Sequence, residues 1–226
     1  MKNIIIFGIG KISDVVSYFI ENFTEYKIIA YTVDKQYINL NNFRGKPVIP
    51  FETLENNYPP SDFYIFVALG YQDLNRIREQ KCNEAKNKGY KLFSYIANTP
   101  GISKDLIHKE NCFVMDGALI HPKVTLGRNV FIWSGSLIGH HSNIGDNCWF
   151  TSSSNISGGV LIDKNCFFAV NSTVANSLNI GKNCFFGANS LITKCVEDNS
   201  VYIENSSKKY RLNSEQFLRI SKINDI

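Results

Sequence analysis

Gly8-Ile9-Gly10 follows a short β-branched run, Asn3 to Phe7, and precedes Ile12, Val15, Val16, Phe19 and Ile20 at helical spacing. Glycines between a strand and a helix let backbone N–H groups approach a phosphate at the helix start. Asp34 ends a second strand, Lys27 to Val33, at the place where a carboxylate holds a ribose or sugar hydroxyl. The third glycine of the dinucleotide fingerprint is replaced by Ser13, so a full nicotinamide site is not expected, and a tight turn without ligand stays open as the alternative. Lys208, Lys209 and Arg211 form a short basic cluster, suited to phosphates or to a solvated tail. The histidines are His108, His121, His140 and His141. Adjacent His140 and His141 cannot easily both join His121 on one zinc ion, so a metal centre is not expected.

Further elements must position these groups. Pro47 to Ile49 and Phe63 to Leu69 read as strands, the latter ending at Gly70, and Lys91 to Ile96 completes the sheet. Leu74, Ile77, Lys81 and Ala85 space a helix closed by Gly89. Strands alternating with helices imply a parallel α/β sheet that binds ligands at its carboxyl edge.

The second half of the chain follows a different rule. From Val114 to Ile192 an aliphatic residue or Phe stands at every sixth position, fourteen times without a miss. Two residues before each sits a mostly small side chain, which explains Cys112, Cys148, Cys166 and Cys184 as core fillers. Asn111, Asn129, Asn147, Asn165 and Asn183 recur every eighteen residues, so three hexads make one coil. Asn tolerates positive φ, which makes each a tight corner. The architecture is a triangular solenoid of parallel strands with coils about 4.8 Å apart. Strand alternation then points Phe113, Phe131, Trp149, Phe167 and Phe185 outward in one column. So large an aromatic patch must be covered, by another subunit in preference to the first domain.

Composition fits a globular protein: 226 residues, 44% apolar, with 24 Lys and Arg against 20 Asp and Glu. Disorder and fibres are excluded. The apolar stretch Ile4 to Gly10 is too short to span a membrane and lacks a cleavage site, so a cytoplasmic location is expected. The scattered charge gives no argument for nucleic acid. Six cysteines without a C-x-x-C pair are read as reduced thiols.

The hexad pattern resembles that of the hexapeptide-repeat acyltransferases, which form left-handed β-helices. Together with the Gly-x-Gly α/β unit, it is similar to bacterial sugar acetyltransferases of the sialic acid O-acetyltransferase and UDP-4-amino-sugar N-acetyltransferase type. The resemblance implies a Rossmann-like nucleotide-sugar-binding domain over residues 1–100, a left-handed β-helix over 101–213 and a short C-terminal helix over 214–226. It implies acetyl-CoA as cosubstrate, a nucleotide-sugar substrate and a homotrimer with active sites between subunits. Transfer to a 4-amino-4,6-dideoxy sugar for surface glycans such as lipopolysaccharide is preferred over O-acetylation; a non-catalytic scaffold and a γ-carbonic-anhydrase-like enzyme rank lower.

In that family a coil-corner histidine acts as general base, and the string Ile138-Gly-His-His-Ser-Asn-Ile-Gly145 gives that role to His140. One coil on, Gly158 and Gly159 stack on His140 and His141, opening a slot with bare backbone N–H groups or simply serving as permissive turn residues. With His141, Asn176, Lys208 and Lys209 they make up the expected acetyl-CoA site. Gly8, Gly10, Lys11, Ser13, Asp34 and Gly70 make up the expected sugar-nucleotide site. Three departures stand out. His141 occupies the position that is often acidic and orients the base, Trp149 aligns with a second histidine of some relatives, and Lys11 and Ser13 replace a glycine-loop histidine.

Overall fold

The computed structural model describes residues 3–221. Its first part is a sheet with strand order β3-β4-β2-β1-β5-β6, in which β1 is Asn3–Phe7, β2 Lys27–Val33, β3 Asn42–Phe43, β4 Lys46–Pro50, β5 Phe63–Val67 and β6 Lys91–Leu92. All pairings are parallel except the β3–β4 hairpin. Ile4, Ile5, Ile6, Ile65 and Phe66 are fully buried, as expected of central parallel strands covered on both faces. Helix α1, Lys11–Phe23, starts at Gly10 and carries Asp14 in its first turn, where the helix dipole favours an acid. It buries Val16, Phe19 and Ile20 and stops where the Thr24 hydroxyl donates to the Ile20 carbonyl.

Helix α2, Arg76–Asn87, differs from the spacing reading. Leu74 falls in the turn before it, and Ile77 is largely exposed; the buried positions are Arg78, Cys82 and Ala85. The reason is its docking partner. Arg78 donates from Nε to Asn129 Oδ1 at 2.8 Å, from Nη1 to the Gly70 carbonyl at 2.8 Å and from Nη2 to the Asn129 carbonyl at 3.2 Å. The guanidinium carbon lies 4.4 Å from the Phe131 ring centroid and 4.9 Å from that of Trp149. Burial pulls the Arg78 pKa down, and carbonyl oxygens with two π faces take the place of a carboxylate partner.

Lys91 to Ile96 is divided between two sheets. β6 closes the α/β sheet, whereas β7, Tyr95–Ile96, pairs with Phe113–Val114 and begins the solenoid. From there the chain winds as a three-faced, left-handed parallel β-helix, its faces forming sheets of seven, five and five strands. Each strand is two residues long. Phe131 stands beside Phe113 and Trp149, Leu137 beside Leu119 and Asn155, and Asn143 beside Thr125 and Leu161, so the eighteen-residue register holds on every face. The corner asparagines sit at φ between 55° and 62°. Their side chains form a ladder: Asn111 donates to Asn129 at 2.8 Å and Asn129 to Asn147 at 2.9 Å. Cys112, Cys148, Cys166 and Cys184 fill the interior, their thiols 3.1–3.2 Å from the carbonyls of Gly127, Asp163, Gly181 and Glu197. Burial pushes the Cys112 thiol up to about 12.

The aromatic column is covered by the protein's own α/β domain, not by another subunit. Phe113, Phe131, Trp149 and Phe167 are buried in one cluster with Ile4, Ile6, Phe19, Phe66 and Tyr95. Phe131 and Trp149 stack at 4.8 Å and 10°. Polar contacts reinforce the junction, since the Val67 N–H donates to Asn111 Oδ1 at 2.8 Å and Asn165 Nδ2 to the Leu74 carbonyl at 3.1 Å. Periodicity showed which way the rings point; it carried no information on which surface meets them.

Beyond the last coil, α3, Ser214–Ser221, is exposed, with the Asn213 side chain accepting from the Gln216 N–H and Gln216 returning a bond to the Asn213 N–H. Phe217 and Ile220 lie on it, while Ile223, expected on the same side, is outside the described residues. No helix among the described residues is long and apolar enough to cross a membrane.

Removing Arg78 strands the Gly70 and Asn129 acceptors and opens a cavity between the domains. We expect Arg78→Ala to lose about 3 kcal/mol or more of stability in urea unfolding.

Candidate active site

His140 and His141 occupy a corner between the second and third faces of the β-helix, held by backbone bonds from coil to coil. The His141 N–H donates to the Pro122 carbonyl at 3.1 Å, the Gly159 N–H to the His140 carbonyl at 2.7 Å and the Ser177 N–H to the Gly158 carbonyl at 2.9 Å. His141 takes φ +60, the conformation shared by Lys123, Gly159 and Ser177 at the same position of neighbouring coils. His140 therefore stands directly below Gly158, with Pro122 on its other side and Asn176 one coil further.

Both imidazoles are exposed. The Cε1–Nε2 edge of His140 lies over Gly158, where a Cβ would come within 2.6 Å of Cε1 and 2.7 Å of Nε2. The missing side chain is thus what admits the ring. His140 Nδ1, on the other side of Cε1 and 3.1 Å from the same Cβ position, is 3.1 Å from His141 Nδ1, with the two rings at 86°. Of the two glycine N–H groups, that of Gly159 is spent on the His140 carbonyl, which corrects the expectation of a pair of bare donors; that of Gly158 has no acceptor among the described residues. An imidazole nitrogen beside an unpaired amide N–H can take a proton from a nucleophile while the amide holds a developing oxyanion.

The glycine loop borders a second hollow, a cleft of about 510 Å³ lined by Gly8, Gly10, Lys11, Asp34 and Gly70 with Tyr37, Gln72, Ile77 and Lys81. Gly8 has φ +125, and a Cβ there would sit 2.4 Å from Ser13 Oγ and 2.9 Å from the Ala68 carbonyl oxygen, so the loop closes only with glycine. Ser13 is not part of the cleft. It is buried and donates to the Ala68 carbonyl at 3.1 Å, fixing the end of β5 instead of facing a ligand. Asp34 Oδ1 is engaged by Lys81 Nζ at 2.8 Å, and the same ammonium reaches Glu84 at 2.7 Å. Burial opposes the Lys81 charge, but the two carboxylates outweigh it and raise its pKa. Asp34 thus presents a lysine-paired carboxylate. Its spacing with Leu74, Ile77 and Ala85 marks Lys81 only as part of a helical stripe; a lysine at an otherwise apolar position is the one sign of this role in the sequence.

Lys208 and Lys209 lie in an exposed segment after the last strand. Trp149 is buried beneath Arg78 and stacked on Phe131, so it is a packing residue with no access to a thioester. Among the described residues no group of three or more His, Cys, Asp or Glu side chains is placed to hold a metal ion.

Two family signatures fall on these features. Residues 3–85 match the PglD N-terminal domain. Residues 106–140 match the bacterial transferase hexapeptide repeat family. The two matches lie in the α/β part and the first coils of the β-helix, respectively. The same two-part fold is found in solved structures. The acetyltransferase domain of PglB from Neisseria gonorrhoeae superposes with a TM-score of 0.81 at 23% identity, over 93% of this chain and 100% of that one, and has also been solved with acetyl coenzyme A. PerB from Caulobacter crescentus, in complex with CoA and GDP-perosamine, gives 0.79 at 22% identity over 92% and 97% of the chains. WeeI from Acinetobacter baumannii gives 0.76 at 16% identity over 92% and 99%. No curated protein sequence matches the chain.

Gly158 has an ordinary φ, and an added methyl group meets the His140 ring first. Gly158→Ala is expected to fold with an unchanged melting temperature while displacing His140, read as a shift of the His140 ring resonances in NMR spectra.

Proposed function

We propose that this protein is an acetyl-CoA-dependent N-acetyltransferase that acylates the amine of a nucleotide-linked amino-sugar of the 4-amino-4,6-dideoxy type, with His140 as general base. The observation that carries the reading is the pairing of His140 Nε2 with a bare Gly158 at a β-helix corner, on a chain that also bears a glycine-loop cleft. The neighbours support the chemistry: one is described as an acetyltransferase domain and was solved with acetyl coenzyme A, and another holds CoA with GDP-perosamine, a nucleotide amino-sugar.

In this reading His140 removes the amine proton as nitrogen attacks the thioester carbonyl, and the Gly158 N–H receives the oxyanion. Gly158, Gly159 and Asn176 line the path of the pantetheine arm, and Lys208 and Lys209 meet the CoA phosphates. Gly8, Gly10, Lys11 and Gly70 hold the nucleotide-sugar phosphates, with the Asp34–Lys81 pair at a hydroxyl. The outward sides of the second and third faces carry Leu119, Leu161, Leu191 and Ile107 exposed in the single chain, which supports a homotrimer built on those faces with the active site between neighbours. The product would enter surface glycan synthesis in the cytoplasm.

Incubation with acetyl-CoA and a panel of UDP-, GDP- and dTDP-amino-sugars, followed by free-thiol release, tests the reading. Thiol release with an amino-sugar and a drop of about 10²–10⁴-fold in kcat for His140→Ala are expected. Release only with the corresponding hydroxy-sugars would move the assignment to O-acetylation. Sedimentation should give the mass of three chains.

A further inference from the structure

We propose that His141 is the positioning residue of His140, an imidazole acceptor in the place of a carboxylate; this rests on the acetyltransferase reading above. The evidence is the 3.1 Å Nδ1···Nδ1 contact, which needs one hydrogen between two ring nitrogens, one donating and one accepting. His140 presents its Nε2 edge to the Gly158 slot. For Nε2 to accept a proton from substrate, Nδ1 must carry the hydrogen and donate it to His141 Nδ1. The contact accommodates that tautomer, with His141 Nδ1 as acceptor and the His141 hydrogen on its Nε2.

The backbone holds the acceptor in place. His141 sits at φ +60, fixed by its N–H bond to Pro122 and by the corner it shares with Lys123 and Gly159. The charged groups facing the pair are few. On the preceding coil Lys123 lies beneath His141, with Nζ 3.2 Å from Asp105 Oδ2 and its own N–H on the same carboxylate, and His121 precedes it by two residues. On the following coils Gly158, Gly159, Asn176 and Ser177 are neutral. No carboxylate among the described residues is hydrogen-bonded to either ring, which leaves His141 as the acceptor.

During transfer, the amine nitrogen forms a bond to the acetyl carbonyl carbon and the carbon–sulfur bond breaks. The amine proton passes to His140 Nε2 and then to the departing CoA sulfur, while the Nδ1 hydrogen stays between the two rings. A neutral acceptor stabilises the intermediate imidazolium less than an anion would. Protonation of both rings puts hydrogens on both Nδ1 atoms and breaks the contact.

Substitution must respect the left-handed corner. His141→Gly keeps φ +60 without strain and removes the acceptor, whereas His141→Asn and His141→Asp keep an oxygen at the position of Nδ1 and tolerate that φ. We expect His141→Gly to lower kcat by about 10–100-fold with the KM for acetyl-CoA within about twofold, and His141→Asn to recover most of the loss. His141→Asp should also recover it and move the acid limb of the kcat/KM profile to higher pH, because a carboxylate favours the protonated ring. Nitrogen-15 spectra of the imidazoles give a readout independent of turnover: His140 should be protonated at Nδ1 in the unsubstituted protein and in His141→Asn, and mixed in His141→Gly. Full kcat in His141→Gly, equal impairment in His141→Asn, or an unchanged His140 tautomer in His141→Gly would overturn the pair. The expected tautomers in a protein that acylates no sugar would retain the pair and overturn the transferase reading alone.

Discussion

The structure depends on one constraint: strands two residues long have no stability of their own and persist only because each is bonded to the coil above and below. The Phe113 N–H reaches the Val130 carbonyl at 2.9 Å and the Phe131 N–H the Cys148 carbonyl at 3.0 Å, and the pattern repeats along each face. Those bonds require the corner residue of each hexad to enter the left-handed region, which Asn111, Asn129, Asn147, Asn165 and Asn183 do at little cost. The same stacking that holds the solenoid sets His140 under Gly158, so the geometry of the proposed chemistry is inherited from the scaffold.

The second organising contact joins the two domains. An outward aromatic column would be a liability on a free β-helix; here it becomes half of a shared core with Phe19, Phe66 and Tyr95. Arg78 lies at its centre, bound to Asn129 of the solenoid and Gly70 of the cleft. Only Phe93 and Ser94 separate β6 from β7, so one sheet follows the other with almost no connecting chain. The cleft and the coils consequently form one body, and a ligand in the glycine loop is registered against the β-helix through a buried cation.

Much of this was legible in the sequence because it follows from periodicity. The hexads gave the three faces, the eighteen-residue asparagines gave the corners, and counting one coil from His140 led to Gly158. Gly8-Ile-Gly10 and Asp34 all line the cleft, although the glycines alone were equally readable as a tight turn. What escaped depended on partners. Arg78 reads as a polar helical position, and only the rings of Phe131 and Trp149 make it buried. Ser13 stands where a ligand-facing residue was expected, but the close approach of Gly8 to Ala68 turns it inward. The orientation of His140 could not be read either, since the meeting of two Nδ1 atoms is set by side-chain rotamers at a left-handed corner and not by residue spacing.

The asparagine edge also limits how such a chain could change in length. Asn111 and Asn129 are tied to Val67 and Arg78, so an insertion of six residues upstream of them would rotate every later face by a third of a turn and carry the aromatic column away from its cover. Whole coils could be added at the far end, near Val201–Tyr202, without disturbing either the domain junction or the histidine corner. Growth of this protein is therefore confined to one end, as a stack of plates is extended only from the top.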